Sequence, residues 1–221
     1  SPLLLPAAGV GITAIPAALI AVPPNSAVNG VVFGFAAGVF LHLAMDFLPR
    51  CEVGGEVYEA AMVEPRIVGL NLVGPEDGST AMANYDRLMA MLSYLGAYYE
   101  GSSPLRLSLH AGEITPTSVP AGYELDQTEH IRKAVEIAGA RRIGHGVDVL
   151  DESEPAQLLD MLRDQGILVE ICLASNDIIL EVSGAQHPVH DYLAAGVPVA
   201  LATDDQGVAR SSLAAEFFRA V

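Results

Sequence analysis

From residue 66 onward the chain alternates between two hydrophobic rhythms. Short apolar runs occur at "RIVGLNLVG" (66–74), "LRLSLHAGE" (105–113), "RRIGHG" (141–146), "ILVEICLASN" (167–176) and "VPVALATDD" (197–205), and each is predicted to be a strand. Between them lie stretches with apolar residues at helical spacing. Residues 80–99 carry Leu88, Met91, Leu92 and Leu95 in that pattern. "QTEHIRKAVEIAGA" (127–140) has Gln127 or Thr128 near its start and Gly139 where a C-terminal cap is expected. "EPAQLLDMLRDQG" (154–166) carries Pro155 in its first turn and Gly166 at its end, and "HPVHDYLAAG" (187–196) reads as a short helix. Strands alternating with amphipathic helices predict parallel βα units and an α/β fold.

The N-terminal stretch has a different character. Residues 1–45 contain no Asp, Glu, Lys or Arg, and residues 31–48 form an apolar run about as long as a bilayer-spanning helix requires. Gly34 and Gly38 make a G-x-x-x-G spacing suited to close helix packing in lipid. Pro6 and Pro16 interrupt the earlier run, and it lacks the positive start of a signal peptide. The expected organisation is an apolar helical segment over 1–50, membrane-associated or packed as a helical hairpin, followed by an α/β domain over 51–221 with a cytoplasmic location. "FAAGVFLHLAMDFLPRCEVGGE" also resembles, weakly and over one helix, a late transmembrane segment of ZRT/IRT-like zinc transporters. His42 within it reads more simply as a packed histidine than as a ligand.

Charge narrows the partners. The net charge of −16 over 221 residues, with 27 carboxylates against 11 basic residues, argues against nucleic acid or an anionic membrane surface. Lys133 is the only lysine, which a high-salt cytoplasm or an arginine-biased genome would each explain. Cys51 and Cys172 are too few and too separated for a disulfide framework or a metal knuckle.

The chemistry collects where strands end. "LVGPED", "LHAGE", "GHG", "LASND" and "ATDD" all finish an apolar run in polar residues or glycine, and in parallel βα folds this is the end that carries sites. His110, Glu113, His145, Asp204 and Asp205 together supply two imidazoles and three carboxylates, a donor set suited to zinc or a similar ion. Gly112 is expected to let a substrate approach the backbone. Taken singly, each residue has a plainer reading: a polar strand end for His110, a solvated helix-start carboxylate for Glu113, a turn for His145, and a turn or N-cap pair for Asp204 and Asp205.

The ordered motifs "LNLVGPEDG", "LHAGE", "RIGHGV", "VEICLASN" and "HPVHDYLAAGVPVALATDD" resemble those of the adenosine deaminase family, a branch of the metal-dependent amidohydrolases, over about residues 60–215. The resemblance implies a (β/α)8 TIM-barrel type of fold with one catalytic zinc. It implies that His110 and Asp204 are zinc ligands, that Glu113 protonates purine N1, and that His145 acts on the zinc-bound water. It places Asp205 and the backbone around Gly74 on the purine ring. The implied reaction is hydrolytic deamination of adenosine or a related aminopurine to the 6-oxo product and ammonia, with a purine nucleoside or base as small-molecule partner.

The sequence departs from the family pattern in two respects. The family's first strand carries an H-x-H zinc pair, and no H-x-H occurs here; Asn71 stands where many relatives have aspartate. Counting back from "VALATDD", the chain holds about five βα units, the family's strands four to eight. An incomplete barrel would leave an open edge through which copies could associate. Two further readings are therefore an inactive purine-binding or interaction fragment, and a membrane-tethered fusion with a transporter-derived N-terminus.

Overall fold

The computed structural model describes residues 58–60, 64, 67–99 and 106–221. The apolar segment over 1–50 and the expectations that rest on it lie outside these residues. Among the described residues, no helix is long and apolar enough to cross a membrane.

Five strands hydrogen-bond in chain order: β1 (Gly69–Leu72), β2 (Arg106–Ala111), β3 (Arg142–His145), β4 (Leu168–Ile171) and β5 (Val199–Leu201). The five predicted strands are all present, β2 to β5 pair in parallel, and the α/β class holds. The helices are α1 (Ser79–Tyr98), α2 (His130–Glu136), α3 (Pro155–Asp164), α4 (Leu173–Leu180), α5 (Val189–Ala195), α6 (Gln206–Ala209) and α7 (Leu213–Arg219).

The chain divides into two compact units, one of residues 1–74 with 91–107 and one of 75–90 with 108–221. In the first, Arg106 N donates to Val68 O at 3.3 Å beside β1, Leu70 and Leu72 are buried, and Tyr58 stacks on Tyr99 at 5.6 Å. The second holds the parallel core. Ile143, Val169 and Ile171 are fully buried on β3 and β4, and α3 buries Leu158 and Leu162. That α3 pair is four residues apart and shares one helical face.

Several boundaries differ from the sequence reading. The α1 face buries Met82, Tyr85, Met89, Leu92 and Leu95, whereas Leu88 and Met91 are only half-buried. Helix α2 starts at His130, and Glu152 caps it from outside by accepting from Ile131 N (2.6 Å) and Arg132 N (3.2 Å). Its exit matches expectation: Gly139 is left-handed (φ 75°), and Gly139 N and Ala140 N reach back to Val135 O and Ala134 O. The run "ILVEICLASN" is not one strand. It turns helical at Leu173, so Ser175 and Asn176 lie in the first turn of α4.

Candidate active site

All of the clustered side chains belong to the second unit and project from the C-terminal ends of its strands. The parallel register sets Ala111 beside His145 and His110 beside Gly144. A Cβ on Gly144 would sit 3.4 Å from the His110 ring, so the missing side chain leaves that ring room to lie across β3. The second glycine of "GHG" serves a different neighbour. Gly146 is left-handed (φ 59°), its carbonyl accepts from Tyr192 Oη at 2.6 Å, and a Cβ there would meet that oxygen at 2.5 Å.

His145 is itself left-handed (φ 71°) and almost fully buried. Its Nε2 faces His110 Nε2 at 2.7 Å, with the two rings edge to face at 4.2 Å. Glu113 completes the group. Its Oε2 lies 3.5 Å from His110 Nδ1 and its Oε1 lies 3.3 Å from His145 Nδ1. Asp204, left-handed at φ 53°, accepts from Ser175 Oγ at 2.7 Å and places Oδ2 3.9 Å from His145 Nε2. The structure thus assembles His110, Glu113, His145 and Asp204 from three strand ends. Asp205 is exposed and opens the short helix α6. Gly74 is buried just after β1 and belongs to the other unit.

Electrostatics separate two carboxylates that lie close together. Burial, reinforced by Glu76, Asp204 and Asp77, pushes Glu113 up to about 8, so it holds a proton at neutral pH. For Glu76, burial acts upward but is outweighed by the His130 hydrogen bond and charge, by His110 and by the Glu113 N–H, and the net shift is downward. Glu76 Oε2 accepts from Gly112 N (2.8 Å) and from His130 Nδ1 (2.8 Å), and its Oε1 accepts from Glu113 N (2.9 Å). His130 is stacked beneath Tyr85 at 3.7 Å, and Tyr85 Oη donates to His130 O at 3.1 Å.

Glu76 is the anchor of the "HAGE" turn, and within the polar strand end "LVGPED" no local pattern signals that role. Asn176 meets His145 directly and His187 reaches it through Asn176; both lie within the quoted motifs, with no local signal of that role. Gly112 departs from expectation. It is left-handed (φ 82°), but a Cβ there would run into Asp148 Oδ1 and reach Ile131 at 2.9 Å, so the space beside it is filled by protein rather than open to substrate. Asp148 is fully buried, and burial, with the neighbouring carboxylates Glu152, Glu76 and Asp151, pushes its pKa well up.

The ligand atoms of His110, Glu113 and His145 lie within 4.8 Å of one another. Among the described residues, the buried Glu113 Oε1 has no hydrogen-bond partner. Two imidazoles and a carboxylate converging at this range form a donor set that fits a borderline divalent ion.

The raised Glu113 pKa has a consequence for stability. A carboxyl whose folded pKa lies above its unfolded value stabilises the fold while protonated, and that contribution is lost as pH rises from about 4.5 toward 8. In metal-free buffer, Glu113→Gln is expected to gain on the parent by about 3 kcal/mol between pH 5 and pH 8. Urea unfolding at both pH values measures this difference, and a gap independent of pH would contradict it.

A buried and a half-buried imidazole with a carboxyl at strand ends of a parallel α/β sheet make a metal-compatible site. A family model described as adenosine deaminase matches residues 33–221, and the chain belongs to that family. The adenine deaminase of Rhizobium meliloti is 32% identical over 162 residues, 72% of this chain and 43% of that protein. The N6-mAMP deaminase of Arabidopsis is 27% identical, with a TM-score of 0.57 over 77% of this chain and 44% of that one. An amidohydrolase of Burkholderia ambifaria, solved with bound zinc, shares the fold at 14% identity and a TM-score of 0.53, over 76% and 42%. The chain therefore spans somewhat under half the length of these proteins. Family membership and the donor cluster together point to a metal cofactor.

Proposed function

We propose that this chain carries the proton-transfer half of a zinc-dependent aminopurine deaminase, converting adenine, adenosine or a related 6-aminopurine to the 6-oxo product and ammonia. The observation that carries the reading is the convergence of Glu113 with two imidazoles in one cluster, a carboxyl that burial pushes up to about 8. His110 and Asp204 would hold the ion. Zinc in such a site lowers the pKa of its water and supplies hydroxide near neutrality.

The chain's own residues supply the rest. A carboxyl held near pKa 8 is a suitable general acid at neutral pH, and here it would deliver its proton to the purine N1. Burial pushes His145 down to about 3, with the neighbouring His110 acting in the same direction, so this imidazole is neutral and directs a hydrogen bond without carrying charge. The Glu76 carboxylate holds the backbone of Gly112 and Glu113, which keeps the acid at the end of β2.

The test is incubation of the zinc-loaded protein with adenine, adenosine and AMP, following loss of the aminopurine absorbance and release of ammonia. Deamination of at least one of them supports the reading. Zinc bound at one equivalent with no turnover of any aminopurine would overturn it, and nucleoside binding without zinc would favour a binding fragment instead.

A further inference from the structure

A line of buried side chains runs from a backbone amide to His145, and its direction is fixed at the far end. Val189 N donates to His187 Nδ1 at 3.1 Å. A backbone N–H can only donate, so His187 Nδ1 accepts and the ring proton sits on Nε2. Burial, assisted by His190, lowers the His187 pKa to about 4 and keeps the ring neutral. His187 Nε2–H then donates to Asn176 Oδ1 at 3.1 Å, which orients the amide. The remaining end of that amide, Nδ2, donates to His145 Nδ1 at 3.0 Å. Asn176 is fully buried and His187 nearly so.

We infer that Asn176 and His187 are positioning residues that set the tautomer of His145, fixing its proton on Nε2 and aiming it at His110. A carboxamide and a distant imidazole thereby give the two site histidines opposite hydrogen-bonding characters. His145 presents an N–H, and His110 presents a lone pair, with the two Nε2 atoms 2.7 Å apart. The other groups facing His145 do not reverse this order. Glu113 Oε1 lies 3.3 Å from the same Nδ1 but forms no hydrogen bond, and Asp204 Oδ2 stands 3.9 Å from Nε2, on the side where a proton is welcome. In the metal-free protein this tautomer makes His145 Nε2 a donor toward His110 Nε2. The importance of that donor for turnover rests on the deaminase reading, but the tautomer itself does not.

The test is long-range nitrogen–proton NMR of the metal-free protein labelled with 15N-histidine. The chain has six histidines, so the His145 signals are assigned by their loss in His145→Gln. The expected pattern for His145 is a protonated Nε2 and a bare Nδ1. In Asn176→Asp, which keeps the shape but replaces the donor with an acceptor, the proton is expected to move to Nδ1 and the two nitrogen shifts to exchange. A His145 that carries its proton on Nδ1 in the parent, or that is unchanged in the aspartate variant, would overturn the inference. Should that variant fail to fold, His187→Phe frees the amide to rotate, and a mixture of both tautomers is expected in place of one. A single unchanged tautomer there also counts against the inference. An Nε2–H spectrum alongside a failed deamination assay would discard the reaction and retain the positioning role.

Discussion

Glu113→Gln is expected to lower aminopurine deamination by about 10²–10⁴-fold, the range that a positioned general acid supplies. The amide keeps the size of the side chain but cannot deliver a proton to a ring nitrogen. Its backbone N–H still reaches Glu76, so the turn at the end of β2 is retained. The loss should fall on kcat, because the proton is needed as the ring is attacked and not when the purine binds. Zinc content should change little if His110 and Asp204 hold the ion. In the parent, activity should decline as pH rises through about 8, where Glu113 gives up its proton. A variant that retains more than a tenth of parental kcat, or a parent with no alkaline limb near pH 8, would remove Glu113 from the role of acid. Steady-state kinetics over pH 6–9, with zinc measured in each sample, decides between these outcomes.

The fold was readable where polarity and burial agree. In β2 the residues "RLSLHA" alternate between exposed or half-buried and buried positions, and the alternation in the sequence predicts a strand ending at the histidine. Elsewhere polarity and burial disagree. In α7 the fully buried residue is Glu216, which accepts from Ala174 N, while Phe217 and Phe218 are exposed. No hydrophobic period marks such a helix, and none was predicted. "ILVEICLASN" failed for another reason. A short continuous apolar run does not distinguish a strand from a helix, and this one is both in turn.

The site shows the same division. His110, Glu113, His145 and Asp204 were visible because each ends an apolar run in a βα register. Glu76, Asn176 and His187 act through partners 36, 31 and 11 residues away along the chain, and no local pattern specifies such pairings. The two glycines flanking His145 serve its neighbours rather than the histidine itself. In the structure, one makes room for the His110 ring and the other for the Tyr192 hydroxyl.

Removal of the Glu76 carboxylate is expected to cost about 3–5 kcal/mol of folding stability, the range for breaking a buried, hydrogen-bonded pair by deleting one partner. Three donors converge on its two oxygens: Gly112 N and His130 Nδ1 on Oε2, and Glu113 N on Oε1. Glu76→Ala leaves all three without acceptors, and each unmet buried group costs about 1–3 kcal/mol. Even Glu76→Gln is not conservative. Whichever way its amide is turned, the NH₂ group faces a backbone N–H, of Gly112 or of Glu113, and one acceptor is lost to a donor–donor contact. The pH dependence has a definite sign. Because the folded pKa of Glu76 is lowered, its contribution is present above the unfolded value of 4.5 and is lost as pH falls through the folded value. Against a total stability of about 5–15 kcal/mol for a typical domain, the alanine variant should lose roughly a fifth of the total or more at neutral pH. Denaturant unfolding of both variants at pH 7 measures the effect. A loss below about 1 kcal/mol would mean that the turn bearing Glu113 is held by something other than this carboxylate.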